Sequence, residues 1–73
     1  MNIEKLDLAK VRRGHYTALN GRLELKLVSA ARWRGFDTLH PDGHTCVAVG
    51  RTKLDAEDML NRYHKEYIVG KGF

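Results

Sequence analysis

The chain has 73 residues, 42% of them hydrophobic and 30% charged, with seven Gly, one Pro and a formal net charge of +4. That length holds one small domain with a marginal core and leaves no room for a barrel, a dinucleotide-binding fold or a two-domain cleft. One cysteine excludes an internal disulfide framework and points to a reducing compartment, no apolar run reaches the ~18 residues of a membrane span, and the opening MNIEKLDL has no secretory-signal pattern.

Residues 1–13 are expected to form an N-terminal arm or short helix, in which Asn2 caps and Ile3, Leu6 and Val11 give a sparse apolar side. Terminal segments often fray, so a loosely docked arm is the alternative. Arg12-Arg13-Gly14 ends it. His15–Leu19 then reads as a strand leading into Asn20-Gly21, a strong hairpin signal because both positions tolerate positive φ. Arg22–Leu27 alternates without a fault, which turns Leu23, Leu25 and Leu27 to the core and Arg22, Glu24 and Lys26 to solvent.

Ser29-Ala30-Ala31 is a turn, and Arg32–Leu39 a further strand in which Gly35 suggests a bulge or a close backbone approach. Pro41-Asp42-Gly43 supplies a turn, and Thr45–Val49 a short strand ended by Gly50. From Thr52 the pattern becomes helical. Thr52 is a suitable N-cap, acids crowd the first turns, bases follow, and Ala56, Met59, Leu60, Tyr63 and Tyr67 share a face. Gly70 stops the run and leaves 70–73 as a free, flexible tail.

The expected fold is therefore α+β: a single domain over 1–73, with a three- or four-stranded antiparallel meander packed by one C-terminal helix, and a short N-terminal arm or helix. One sheet face lies under the helix, and the other stays in water with its Arg and Lys.

Little in the sequence carries chemistry. His40, Asp42, His44 and Cys46 are permitted ligand types, but no second pair completes a zinc site. Cys46 lies in an apolar strand, where burial makes a thiol inert. Gly50-Arg51-Thr52-Lys53 lacks phosphate-loop spacing, and the helix dipole accounts for the clustered carboxylates. The reading is of a protein that is not an enzyme, with neither metal nor cofactor.

Binding is better supported. Residues 10–34 hold Lys10, Arg12, Arg13, Arg22, Lys26, Arg32 and Arg34 against Glu24 alone, seven bases to one acid or +6, so the remainder carries −2. A field concentrated in this way attracts polyanions or acidic protein surfaces. Two readings remain open. Trp33 between Arg32 and Arg34 on a basic sheet suits DNA contact, in an element order loosely similar to plant-type and phage-integrase arm-binding domains. Arg, Trp and Tyr with an apolar arm suit a protein partner. The candidate partner-binding residues are Leu6, Leu8, Val11, Arg12, Arg13, Tyr16, Arg32 and Arg34, in the arm and the basic meander.

The stretches RRGHYTALNGRLELKLV, ARWRGFDT and TCVAVGRTK, the length of 73 residues and the terminal KGF together resemble a small phage-encoded regulator of host bacterial RNA polymerase, from a phage that infects Xanthomonas. The resemblance covers the whole chain. It implies a monomer in the host bacterial cytoplasm that contacts the largest polymerase subunit near its N-terminus. It further implies inhibition of initiation by interference with sigma engagement, and antitermination. DNA contact would be weak and there would be no membrane association. The alternative is a DNA-binding module that uses the basic antiparallel sheet face.

A structural zinc site supplies folding energy outright. Chelator treatment is therefore expected to leave the far-ultraviolet circular dichroism and the thermal midpoint unchanged, and a large fall in either would reinstate the His40/His44 site.

Overall fold

The computed structural model describes residues 5–73, and among these five strands and one helical segment follow one another in chain order. Strands β1 (Ala9–Arg12), β2 (His15–Ala18), β3 (Leu23–Ser29), β4 (Arg32–Asp37) and β5 (Thr45–Gly50) form an antiparallel meander in the order β1-β2-β3-β4-β5. Helix α1 (Lys53–Tyr63) packs across it and passes directly into a π-helical stretch, His64–Val69. The α+β class and the C-terminal helix are as expected, but the strand count is five rather than three or four.

The extra strand comes from the last part of the expected arm. Gly14 turns the chain back at φ 75°, and Ala9, Lys10 and Arg12 pair with Thr17, Tyr16 and His15. All four β1 residues are exposed, so no alternation of burial marks the strand in the sequence. Asn2 and Ile3, expected in a short helix, lie outside the described residues.

Alternation along the strands sends one set of side chains toward the helix. Tyr16, Leu25, Gly35 and Ala48 form one row of this face across β2–β5, with Ala18, Leu23 and Asp37 beside them. Leu23, Leu25, Ala48, Ala56 and Leu60 are buried essentially completely. Leu27 shares the parity of Leu23 and Leu25 but is 44% exposed, contrary to expectation, because the cover over β3 stops at Leu25.

Small residues set how closely the helix sits. A Cβ on Gly35 would lie 2.9 Å from Leu60 Cδ1 and 3.0 Å from Ala48 Cβ, so Leu60 occupies the space a side chain would need. At Gly50 a Cβ would lie 2.5 Å from the backbone nitrogen of Ala56, where the first turn of α1 rests on the end of β5. Thr52 caps that turn, accepting from the Asp55 amide at 3.2 Å. At the other end, residues 70–73 are folded back rather than free. The Phe73 amide donates to Tyr67 O at 3.0 Å, and its ring contacts His40 and Tyr67.

Gly35→Ala overpacks this contact and is expected to cost about 1–3 kcal/mol. Thermal denaturation checks it against Leu54→Ala, a 74% exposed site expected to change stability by under about 0.5 kcal/mol.

Candidate partner-binding surface

Two polar groupings stand out, one inside the fold and one on its open face. The inner one centres on Asp37, which has no solvent exposure. Arg22 Nε donates to Oδ1 at 3.0 Å and Nη2 to Oδ2 at 3.1 Å, the Leu39 amide donates to Oδ1 at 2.9 Å, and the Tyr63 hydroxyl donates to Oδ2. The Arg22 carbonyl in turn accepts from the Thr38 amide and hydroxyl. Burial alone raises the Asp37 pKa, but the donors from Arg22, Tyr63 and Leu39 outweigh it and hold the carboxyl below its ordinary value. Burial and then the bond to Asp37 push Tyr63 up to about 12, and the bond to Asp37 raises Arg22. Every carboxylate oxygen is engaged and the group is sealed from solvent, so this cluster holds the fold and offers no approach to a substrate.

The opposite sheet face carries no helix. Strand register aligns Arg12, His15, Lys26, Arg34 and Val49 in one row across all five strands. A second row reads Ala9, Thr17, Glu24, Phe36 and Cys46. Glu24 lies among His15 at 3.4 Å, Lys26 at 3.5 Å and His44 at 3.8 Å. The His44 ring meets Phe36 edge-on at 5.1 Å, and the Lys26 ammonium sits 5.9 Å from the Phe36 centroid. Among the described residues Arg12, Arg13, Arg32, Arg34 and Arg51 make no ion pair with a carboxylate. Arg34 reaches only the Cys46 sulfur, at 3.9 Å.

Where β3, β4 and β5 end or begin together, a shallow cavity of about 280 Å³ is lined by Arg32, Arg34 and Arg51 with Ala31, Trp33, Val49 and Gly50. Beside it Leu27 and Val28 are exposed, and the Leu27 amide donates to the carbonyl of Gly14, which brings in the β1–β2 turn with Arg13. Val11 is 56% exposed on β1.

The eight residues singled out in the sequence divide. Val11, Arg12, Arg13 and Arg32 are exposed and Arg34 is half-buried on the open face, so these five are free to meet a partner. Leu6 is not: it is buried in the core, its amide held by Asn61 Oδ1 at 2.7 Å. Leu8 and Tyr16 are half-buried against the same core, with Tyr16 beside Trp33 and under the Lys53 ammonium. A core this small draws in the apolar arm.

Cys46 is exposed on the open face, correcting its expected burial. His40 stacks near Tyr63 while His44 lies on Phe36, so the two do not converge, and among the described residues no three of His, Cys, Asp and Glu are grouped to hold a metal ion. Arg51 and Lys26 belong to the surface although the sequence reading did not select them. The signal available for Lys26 was its alternation with Glu24 and Arg22, and for Arg51 its place two residues after Val49 at the end of a strand.

No family model, curated protein or solved structure matches the chain.

The inner cluster sets the pH response. With the Asp37 pKa lowered on folding, its contribution is complete above the ordinary value of about 3.9 and is lost as pH falls through the folded value. With that of Tyr63 raised, its contribution is complete below about 10 and is lost as pH rises toward about 12. Tyr63→Phe is expected to cost about 1.5–3 kcal/mol at neutral pH, to remove the alkaline loss and to move acid unfolding to higher pH. Urea midpoints measured across pH check all three.

Proposed function

We propose that this protein is a phage-encoded, non-enzymatic transcription regulator that binds host bacterial RNA polymerase, inhibits initiation by interfering with sigma engagement, and promotes antitermination. The identity of the partner rests on the resemblance of the sequence. The observation that supports a docking role is the end of the sheet where Leu27 meets the β1–β2 turn at Gly14, with Val11, Leu27, Val28, Arg12, Arg13 and Arg32 all exposed on the strands and turn that meet there. Exposed apolar groups beside charged ones mark an interaction surface, arginine is enriched at binding hot spots, and cations speed encounter with an acidic surface. The largest subunit near its N-terminus is the proposed contact, and the host cytoplasm the proposed location. Among the described residues no helix is long and apolar enough to cross a membrane.

A DNA-binding module is the second reading, favoured by the basic row from Arg12 to Arg34. Its geometry is unfavourable for reading a duplex. Four inter-strand spacings make the sheet about 19 Å wide, whereas the major groove is about 12 Å wide and admits a two-stranded ribbon.

Nuclease-treated pull-down from host lysate separates the two readings. Retention of the large polymerase subunits is expected, and loss of all captured material with the nucleic acid would favour DNA. Reversal at Arg12 and Arg13 is expected to weaken capture at least tenfold with an unchanged thermal midpoint, while reversal at Arg62 and Lys65 on the helix does little. The opposite pattern would make the helix the recognition element.

A further inference from the structure

We propose that the open sheet face carries a second site adjoining the docking end, one that holds the backbone of a single-stranded nucleic acid, with a phosphate seated in the cavity of Arg32, Arg34 and Arg51. This goes beyond the polymerase reading and stands without it.

Three observations carry the site. The first is the cavity. Arg32 and Arg34 alternate onto one face of β4, Val49 pairs with Arg34, and Arg51 follows two residues later, so three arginines line one hollow of about 280 Å³. None of the three is neutralised by a carboxylate among the described residues. Arginine presents a rigid planar fork of donors that matches phosphate oxygens, and three arginines line this hollow with no carboxylate among its lining residues.

The second is direction. The cavity does not end at Arg34. Register continues the row through Lys26 and His15 to Arg12, one position per strand. At about 4.8 Å per strand this is a file of basic side chains running across the strands, with Glu24 of the adjacent row against its middle members His15 and Lys26 and the arginines at both ends without a carboxylate partner among the described residues. A folded acidic protein surface presents scattered carboxylates, whereas a linear polyanion presents charge along a line.

The third is shape. A flat, five-stranded face cannot enter the groove of a duplex, for the reason of width given above, but a single strand can lie across it. Phe36 and His44 border the file and offer ring surface beside it, an arrangement of cations and aromatic groups suited to a strand whose bases are unpaired.

The test uses the purified full chain without polymerase. A fluorescein-labelled ten-nucleotide oligouridylate is titrated with the chain and read by anisotropy, and Trp33, the only tryptophan of the chain and a wall of the cavity, gives a second signal at the site. Contact with three phosphates at a slope of about −0.7 each predicts a roughly 20-fold loss of affinity between 50 and 200 mM salt. Arg34→Gln with Arg51→Gln is expected to reduce affinity at least tenfold at low salt and to lower the slope by about 1.4. Arg51→Gln alone, beyond the last strand and exposed, is expected to lower it by about 0.7 without affecting folding. A duplex of equal length is expected to compete at least fivefold less well than the single strand.

The proposal is overturned if neither variant alters affinity or slope. Equally effective displacement by polyglutamate would also overturn it, since the face would then attract any anion. The Arg51→Gln chain should still capture polymerase from nuclease-treated lysate. If it loses polymerase but keeps the oligonucleotide, the cavity belongs to protein docking and the nucleic-acid assignment is wrong. Failure of wild-type capture with intact oligonucleotide binding would remove the polymerase reading and leave this one standing.

Discussion

A single buried carboxylate governs how this chain can fold. Asp37 has no solvent exposure and is tied to Arg22, 15 positions earlier, and to Tyr63, 26 positions later. A charge taken from water is costly unless each lone pair finds a donor. Here the donors come from the residue that opens β3, from the backbone just after β4, and from the helix. Loss of any one of these elements would leave the others around an unsatisfied group. The cluster therefore selects an arrangement more than it supplies net stability. A one-residue slip of β4 would turn Asp37 to the open face and an arginine or Phe36 under the helix.

This selection matters because apolar burial is thin. Apart from Asp37, the largest fully buried side chains are Leu23, Leu25 and Leu60, and small residues, Ala48, Ala56, Gly35 and Gly50, make much of the remaining contact between sheet and helix. Small residues let the layers approach closely but bury little area each. The shortage explains why Leu6 is drawn from the N-terminal segment into the core and pinned through Asn61, which itself donates to the carbonyl of Glu57. One helix can cover one sheet face only. Among the described residues no second helix lies on the other face, and its side chains are free of packing duty.

How much of this was legible follows from which residues have local signals. Leu23 and Leu25 alternate with polar neighbours, Thr52 caps a periodic helix, and Gly35 and Gly50 interrupt strands, so β3, α1 and the close sheet–helix contact could be read directly. The turn before β3 lies one residue earlier than Asn20-Gly21 suggests, because Leu19 itself takes φ 53°. β1 was hidden because all its side chains are exposed and its strand state comes from pairing with β2. The register shift between Gly35 and Phe36, which places Cys46 opposite Phe36 on the open face, is a property of two strands together. Asp37 had a usable sign, since it occupies the inward parity of Trp33 and Gly35. Arg22 had none: alternation sends it outward, and only the buried acid brings it in. The five free residues of the candidate surface were legible as unmatched charge, while their alignment into a row required the register of every strand.

The charge asymmetry of the sequence gains a spatial meaning from this register. The acids near the start of α1 and the bases of the meander are set on different layers, and ion pairs such as Lys53–Glu57 and Arg62–Asp58 balance the helix internally. In the meander Asp37 is spent on Arg22 beneath the helix and Glu24 is the acid on the open face, so the field of the molecule points outward from that face. The docking end and the basic row share Arg12 and Arg32 at their margins but differ in character: the end offers apolar groups beside charged ones, and the row offers charge with little apolar area. A protein surface gains from the first through desolvation, and a phosphate backbone from the second through counterion release. Two contacts of different chemistry can thus occupy adjacent parts of the sheet, meeting at Arg12 and Arg32, provided that the strands beneath them are held in register. The buried Asp37, with its donors drawn from three separate elements, supplies that condition.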